Sequence, residues 1–361
     1  MSAVEIPHPS GCRVYDIRQQ AQGSMNLQTA ITDGLLSTPK TLPSLLLWDA
    51  EGLRLFDEFA HSASYYLRDK ELTILRDRSH EIVTVVPAQS ILVELGSLQK
   101  TGRLIRALEK QQKPVRYYAV DVSLSGLTNS LTELRKELGD LHFVDITGLL
   151  GTYDDCVNWI SNPSGQDPMS SPTVTFLWMG NSISNLNHYI DSSSLLSQFR
   201  LACDASRLRC QFLIAADACQ DAQVVRTAYD AQNPTLRAFL LNGLSHANSV
   251  LGRAAFSPQD WSCESGFYPE QGQLEVYYVP LRDVELDVGG DRVYRVQRGE
   301  RVRAISSGKW GKKLMGRVAC AAGFQMNHAW GDSAGQYYFY HLYGGTQTFT
   351  SGNERVSVAH R

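Results

Sequence analysis

SILVELGSLQKTGRLIRALEKQQKPVRYYAVDVS, residues 90–123, holds two apolar runs on either side of a helical pattern. The first run, Ile91 to Leu95, carries Glu94 and stops at Gly96. Leu104, Ile105 and Leu108 then recur at helical spacing, and the second run, Val115 to Val120, ends on Asp121. Strand, glycine turn, helix, strand and acid in that order predict a parallel βαβ unit with a nucleotide-type pocket at the strand ends. Glycine lets backbone approach a ligand, and the helix N-terminus offers free N–H groups. An acid at the tip of the second strand is placed to accept hydrogen bonds from both ribose hydroxyls.

A pyridine-dinucleotide fingerprint needs G-x-G-x-x-G, and only Gly96 and Gly102 are present. The E-x-G…D arrangement suits S-adenosylmethionine (SAM) better. An ordinary βα turn with a solvated Asp121 is the structural alternative, and Asp121 by itself does not separate SAM from NAD.

The 361 residues suffice for one large or two medium domains. Hydrophobic content of 43% and charged content of 20% are those of a globular chain, and the net charge of −3 gives no footprint for nucleic acid or an anionic membrane. No apolar run is long enough to span a bilayer, and MSAVEIPHPS lacks the pattern of a secretion signal, so a cytoplasmic location is expected. Seven cysteines without C-x-x-C spacing argue against a disulfide framework and a structural zinc site, and nine histidines without an H-x-x-x-H pair predict no metal.

Outward from the central unit, Val14 to Ile17 is the only strand-like piece before residue 30. A helix is expected from Asp49 with Leu53, Phe56 and Phe59 on one face, and another from about Asp69 with Leu72, Ile74 and Leu75 inward. The pair Tyr65-Tyr66 stands at that second helix's entrance, as packing residues or as ligand contacts. Beyond Ser123, a helix over 124–138 and a strand over 141–146 lead to GLLGTYDD, residues 148–155. A polar loop (161–172), a buried strand (173–179) and the turn GNSISNL follow; Asn185 there is a helix cap or a bidentate amide for a ligand. A strand over 210–216 precedes Asp217, helices fill 222–257, and two alternating segments, 274–286 and 292–305, predict antiparallel strands of a separate inserted unit. A helix over 312–322 and a terminal hairpin (325–330 and 336–343) close the chain.

Over most of its length the chain resembles the histidine-specific SAM-dependent methyltransferase family of the ergothioneine pathway. KTLPSLLLWDAEG, SYYLRDKELTIL, VELGS…K, GLLGTYDD, GNSISNL and AISSGKW carry the likeness in the family's order. The chain looks closest to the fungal branch that includes the 4-dimethylallyltryptophan N-methyltransferases. The resemblance implies an α/β fold: a Rossmann-like core and a second α+β substrate domain, with substrate between them. Residues 1–64 and 221–308 then build the substrate domain, while 65–220 and 309–361 build the core.

The resemblance also implies roles. Gly96 and Lys100 match the family's SAM-binding glycine and lysine, and Asp121 its ribose acid; Gly148 and Leu149 fall where adenine is held. Tyr65 and Asn185 match the residues holding the amine and carboxylate of an amino-acid substrate, with Gly180 contributing backbone. Trp48 stands where the histidine enzyme has a tyrosine, Ile305 where it has a glutamate that holds the imidazole, and Ser307 is retained. Ile305 cannot accept a hydrogen bond, and an unpaired imidazole N–H costs about 1–3 kcal/mol, which disfavours histidine as substrate. The loop between Gly96 and Lys100 looks about two residues shorter than the family's. The implied reaction is SAM-dependent N-methylation of an amino acid's α-amine, with 4-dimethylallyl-L-tryptophan as leading acceptor, histidine or another amino acid as alternative, and water or Tyr65 taking the proton. A binding or regulatory protein that keeps the fold without activity is the reading from another class. The number of methyl transfers and the oligomeric state stay open.

Overall fold

A computed structural model describes residues 4–6, 13–18, 26–96, 100–161, 173–186, 189–290 and 293–344. In chain order, strands β1 (Val4–Ile6) and β2 (Arg13–Asp16) precede helices α1 (Leu27–Leu36), α2 (Ala50–Ala60) and α3 (Tyr66–Ile82). The central stretch becomes β3 (Ser90–Leu95), α4 (Gly102–Lys110) and β4 (Val115–Asp121). Next come α5 (Leu124–Leu138), β5 (Val144–Leu150), α6 (Tyr153–Ser161), β6 (Thr173–Trp178), α7 (Tyr189–Ala205) and β7 (Arg209–Asp217). The chain continues through α8 (Ala222–Ala228), α9 (Pro234–Leu251), β8 (Trp261–Tyr268), β9 (Gln273–Pro280), β10 (Val284–Asp287), β11 (Val293–Val296) and β12 (Val302–Gly308). It ends in α10 (Lys312–Ala321), β13 (Gln325–Gly331) and β14 (Tyr337–Tyr343).

Nine strands form one sheet in the order β1-β2-β5-β4-β3-β6-β7-β14-β13. Strands β2 to β7 run parallel, and β14 runs against both β7 and β13. All six residues of β3 are buried, as a strand covered on both faces requires. Leu104, Ile105 and Leu108 of α4, with Leu127 and Leu131 of α5, pack on one face; Leu196 and Phe199 of α7, with Met315 and Val318 of α10, pack on the other. Burying each such side chain contributes about 1.5–3 kcal/mol. The chain steps from β3 outward to β4 and β5, then returns to β6 on the other side of β3. That reversal opens a crevice at the strand C-termini, where Gly96, Asp121 and Gly180 stand.

Several expectations are corrected. Segment 1–64 does not belong wholly to a second domain, because β1 and β2 extend the large sheet through parallel pairing of β2 with β5. Leu53 is exposed; Leu55, Phe56 and Phe59 make the inward stripe of α2, whose N-terminus Asp49 caps by accepting from Gly52 N at 2.8 Å. Helix α3 starts at Tyr66, so Tyr65 is the residue entering it. The strand expected at 141–146 runs from Val144 to Leu150. The expected strand over 274–286 splits into β9, which ends on Pro280, and β10, and that over 292–305 splits into β11 and β12 around a turn that holds Gly299 (φ +78°). Strand β8, which alternation did not signal, completes a three-stranded sheet β12-β9-β8, and β10 pairs with β11.

None of the strands from β8 to β12 joins the large sheet. The chain leaves that sheet at Asp217 and returns near Lys309, and these two residues hold each other. Lys309 Nζ lies 2.9 Å from Asp217 Oδ2, and both side chains are fully buried. Trp310 N donates to Asp217 O, and Gln220 Nε2 donates to Lys309 O at 2.9 Å.

Candidate active site

Two groups of side chains meet in the crevice. At the β3 and β4 ends, Gly96 has φ +84°, a conformation that favours glycine, and a Cβ placed there would meet nothing nearer than Tyr153 Oη at 3.8 Å. Asp121 closes β4; its Oδ1 accepts from Ser123 N at 2.8 Å, and burial pushes its carboxyl upward against the backbone N–H groups that hold it down. Tyr153, which opens α6, packs edge-on against Trp178 with ring centres 4.9 Å apart, and burial raises its phenol to about 12. Lys100 is ion-paired with Glu71, a fully buried carboxylate on α3 that also accepts from Gly180 N at 2.7 Å. Open backbone at Gly96, a cation at Lys100 and a carboxylate at Asp121 thus stand together at the ends of β3 and β4. Residues 97–99, the shortened loop, lie outside the described residues.

Gly148 and Leu149 are the positions expected where adenine is held. Both lie inside β5, bonded in the ladder with β4 and β2. A Cβ at Gly148 would fall 2.8 Å from Leu131 Cδ1, so glycine there admits α5 against the sheet. Leu149 is fully buried in the opposite apolar cluster. Packing uses both positions, and Tyr153 is the member of the same motif that reaches the crevice.

The second group surrounds Tyr65, which is buried beside Phe56, Phe59 and Tyr229, its ring centre 5.7 Å from that of Tyr229. Burial lifts its phenol well above the usual range, so the hydroxyl is held in its protonated form. Trp48 packs on Phe56 and Phe239 at 5.1 and 5.3 Å. Ile305 is half-buried on the same apolar cluster, just after a bulge in β12, a device that re-aims side chains. Gly180 (φ +75°) and Asn181, which adopts the left-handed conformation, turn the chain after β6. Asn185 ends the short 3-10 helix 182–185 and is half-buried. It is not the residue preceding α7, and its amide bonds to none of the described residues. Ser307 is buried and accepts from Asn181 Nδ2 at 3.1 Å and from Lys309 Nζ at 3.2 Å.

A profile described as histidine-specific methyltransferase, SAM-dependent, matches residues 27–343. The chain belongs to that family. This methyltransferase is 39% identical to the N-methyltransferase imqF of Aspergillus flavus over 339 residues, covering 93% of this chain and 90% of that one. It is 32% identical to ergothioneine biosynthesis protein 1 of Neurospora crassa (92% of this chain, 36% of that one). It is 29% identical to the 4-dimethylallyltryptophan N-methyltransferase easF of Arthroderma benhamiae (91% and 96%). The protein is therefore a SAM-dependent N-methyltransferase with a Rossmann-like core, and SAM is its cofactor. The dinucleotide reading is set aside. Among the described residues no group of His, Cys, Asp and Glu is placed to hold a metal, and no helix is long and apolar enough to cross a membrane.

Sequence patterns do not single out Glu71, Tyr153, Tyr229 or Lys309, and leave Asn181 and Asp217 without a role. Glu71 carries a signal: it lies one helical turn from Leu67, Ile74 and Leu75, on the buried stripe of α3. Lys309 lies inside the AISSGKW segment that carries the resemblance. Tyr229 has no such mark, since its place depends on the fold.

Proposed function

We propose that this methyltransferase transfers a methyl group to the α-amine of an amino acid with an aromatic, indole-sized side chain. SAM supplies an electrophilic methyl on a sulfonium. The protein holds the amine uncharged and in line with that methyl, within about 3–3.5 Å. A partly dry site favours the uncharged amine by disfavouring ammonium. Tyr65, kept protonated, accepts an amine N–H on its oxygen; Asn185 offers its amide to the carboxylate; Gly180 contributes backbone. No dedicated base is assigned, and water carries the proton away. On the cofactor side Gly96, Lys100 and Asp121 are the proposed contacts.

The acceptor reading rests on the aromatic wall of Trp48, Phe56 and Phe239 beside Tyr65, and on Ile305, an apolar residue on the same large cluster that brings no carboxylate. Such a wall takes a large apolar side chain and leaves an imidazole N–H without an acceptor. The relatives named for 4-dimethylallyltryptophan point to an indole, and 4-dimethylallyl-L-tryptophan is the first acceptor to test. Turnover is compared for tryptophan, 4-dimethylallyltryptophan, tyrosine and histidine in the native enzyme and in Ile305→Glu. The expected result is preference for an indole acceptor, with Ile305→Glu lowering its kcat/KM about tenfold to hundredfold relative to histidine. Unchanged selectivity in the variant contradicts the pocket assignment.

A further inference from the structure

Glu71 stands where the cofactor side of the crevice meets the acceptor side. It lies on α3, the helix that Tyr65 enters, and its side chain is fully buried. Its Oε2 is ion-paired with Lys100, two residues before α4. Its Oε1 accepts from Gly180 N at 2.7 Å, in the turn after β6. Lys100 and Gly180 are themselves neighbours, since a Cβ added at Gly180 would lie 4.0 Å from Lys100 Nζ. One carboxylate thus ties the lysine proposed to meet the cofactor to the glycine proposed to meet the acceptor.

The two partners in the ion pair differ in what else they can reach. The Lys100 side chain is 15% exposed, whereas that of Glu71 is wholly enclosed. An ammonium has three protons, so Lys100 can hold Glu71 and a ligand carboxylate together. A second carboxylate draws the ammonium toward itself and weakens its hold on Glu71. Glu71 has no water to turn to, and a buried carboxylate without compensation is costly. Its other fixed donor is Gly180 N; Tyr337 Oη, buried close to Glu71 and without a partner among the described residues, is a further donor toward the same carboxylate. A carboxylate arriving at Lys100 therefore makes Glu71 lean harder on the turn.

That turn is pinned on its far side. Asn181 Oδ1 accepts from Asp217 N at 2.9 Å, Asn181 Nδ2 donates to Ser307 Oγ at 3.1 Å, and Ser184 N donates to Asn181 O at 3.1 Å. Asn185 ends the short helix that the turn opens. Gly180, at φ +75°, is the link with the most backbone freedom, and the bond to Glu71 is what fixes its N–H.

We propose that Glu71 is a positioning residue that makes cofactor and acceptor bind tighter together than apart: a carboxylate at Lys100 firms the Glu71–Gly180 bond and so orders the turn that meets the acceptor. The inference rests on the proposed contacts of Lys100 with the cofactor and of Gly180 and Asn185 with the acceptor. It adds a link between them, whose size is the same read from either ligand because linkage is reciprocal.

The test uses calorimetry and whichever of the four acceptors named above is methylated fastest. Its affinity is measured for the free enzyme, with S-adenosylhomocysteine, and with decarboxylated S-adenosylhomocysteine, which lacks the group that would reach Lys100. The native enzyme is expected to bind the acceptor at least about fivefold tighter with S-adenosylhomocysteine than alone, and to show little of that gain with the decarboxylated analogue. Glu71→Gln keeps an oxygen for Gly180 N but removes the charge that pairs with Lys100, and it should lose most of the gain. A purely structural role weakens the acceptor equally with and without cofactor and leaves the ratio unmoved. A gain that is equal for the two analogues, that survives in Glu71→Gln, or that is absent from the native enzyme overturns the inference. Should Glu71→Gln fail to fold, the two analogues on the native enzyme decide alone. Equal affinity of the free enzyme for both analogues overturns the Lys100 contact and this inference with it. An enzyme that methylates none of the four acceptors overturns the acceptor reading and, with it, this inference.

Discussion

At the scale of single residues, the buried carboxyl of Glu94 makes the plainest prediction. Its Oε2 receives the hydroxyls of Thr101 and Tyr117, while Oε1 is buried without a partner among the described residues. Burial pushes this carboxyl up to about 8, against the lowering effect of the two donors. A carboxyl raised in the folded state favours folding in its protonated form. Its contribution is complete below the unfolded value of about 4.3 and is lost as pH rises through about 8. Thermal unfolding at pH 5, 7 and 9 should show a fall in Tm that is weaker in Glu94→Gln; parallel curves for the two proteins contradict the assignment. The sequence places Glu94 inside an apolar run, which is the mark of a buried acid, but cannot supply Thr101 and Tyr117, which depend on how α4 and β4 dock. Tyr65 shows the same limit: its place at a helix entrance is legible, its proton-holding environment is not.

At the scale of elements, two glycines separate packing from chemistry. Gly148 lies where α5 presses on β5, and a Cβ there meets Leu131 at 2.8 Å. Gly148→Ala should cost about 1–3 kcal/mol of stability by overpacking, with S-adenosylhomocysteine affinity unchanged. Gly180 has φ +75°, and a Cβ added to it would find open space as far as Lys100 Nζ at 4.0 Å. Gly180→Ala should cost about 1–2 kcal/mol from the left-handed backbone and should raise the KM of the acceptor. Chemical denaturation and steady-state kinetics on the two variants check both. The central βαβ unit was legible because burial on both faces writes continuous apolar runs. The antiparallel strands were legible only as alternation, which runs on past Pro280 and through the Gly299 turn and so could not show where β9 and β12 stop or start. Strand β8 stayed hidden because its alternation is interrupted by Gly266 and by polar residues that remain half-buried.

At the scale of the whole molecule, the large sheet and the strands of 261–308 are joined by two crossings pinned together at Asp217 and Lys309. Asp217→Ala leaves a buried ammonium uncompensated and should destabilise the protein by about 3–5 kcal/mol, whereas Asp217→Asn/Lys309→Met should cost much less. Equal losses in the two variants, by denaturant titration, contradict the pairing as the source of the penalty. The departure of the chain from the sheet and its return were legible as a change of pattern near residues 220 and 309. That a lysine and an aspartate at these two points touch was not, because their separation in sequence hides the contact. The assignment of β1 and β2 to the large sheet was equally out of reach, since their few residues carry no partner information.

The central claim is methyl transfer to an amino acid's α-nitrogen, and one measurement tests it most directly. The purified methyltransferase is incubated with SAM carrying a deuterated methyl group and 4-dimethylallyl-L-tryptophan, with tryptophan and histidine in parallel, and the product is located by tandem mass spectrometry. The predicted result is a labelled methyl on the α-nitrogen of an indole acceptor, abolished by Asn185→Ala. A label on the indole ring, on an oxygen, or preferentially on histidine contradicts the account, as does SAM binding without transfer to any amino acid.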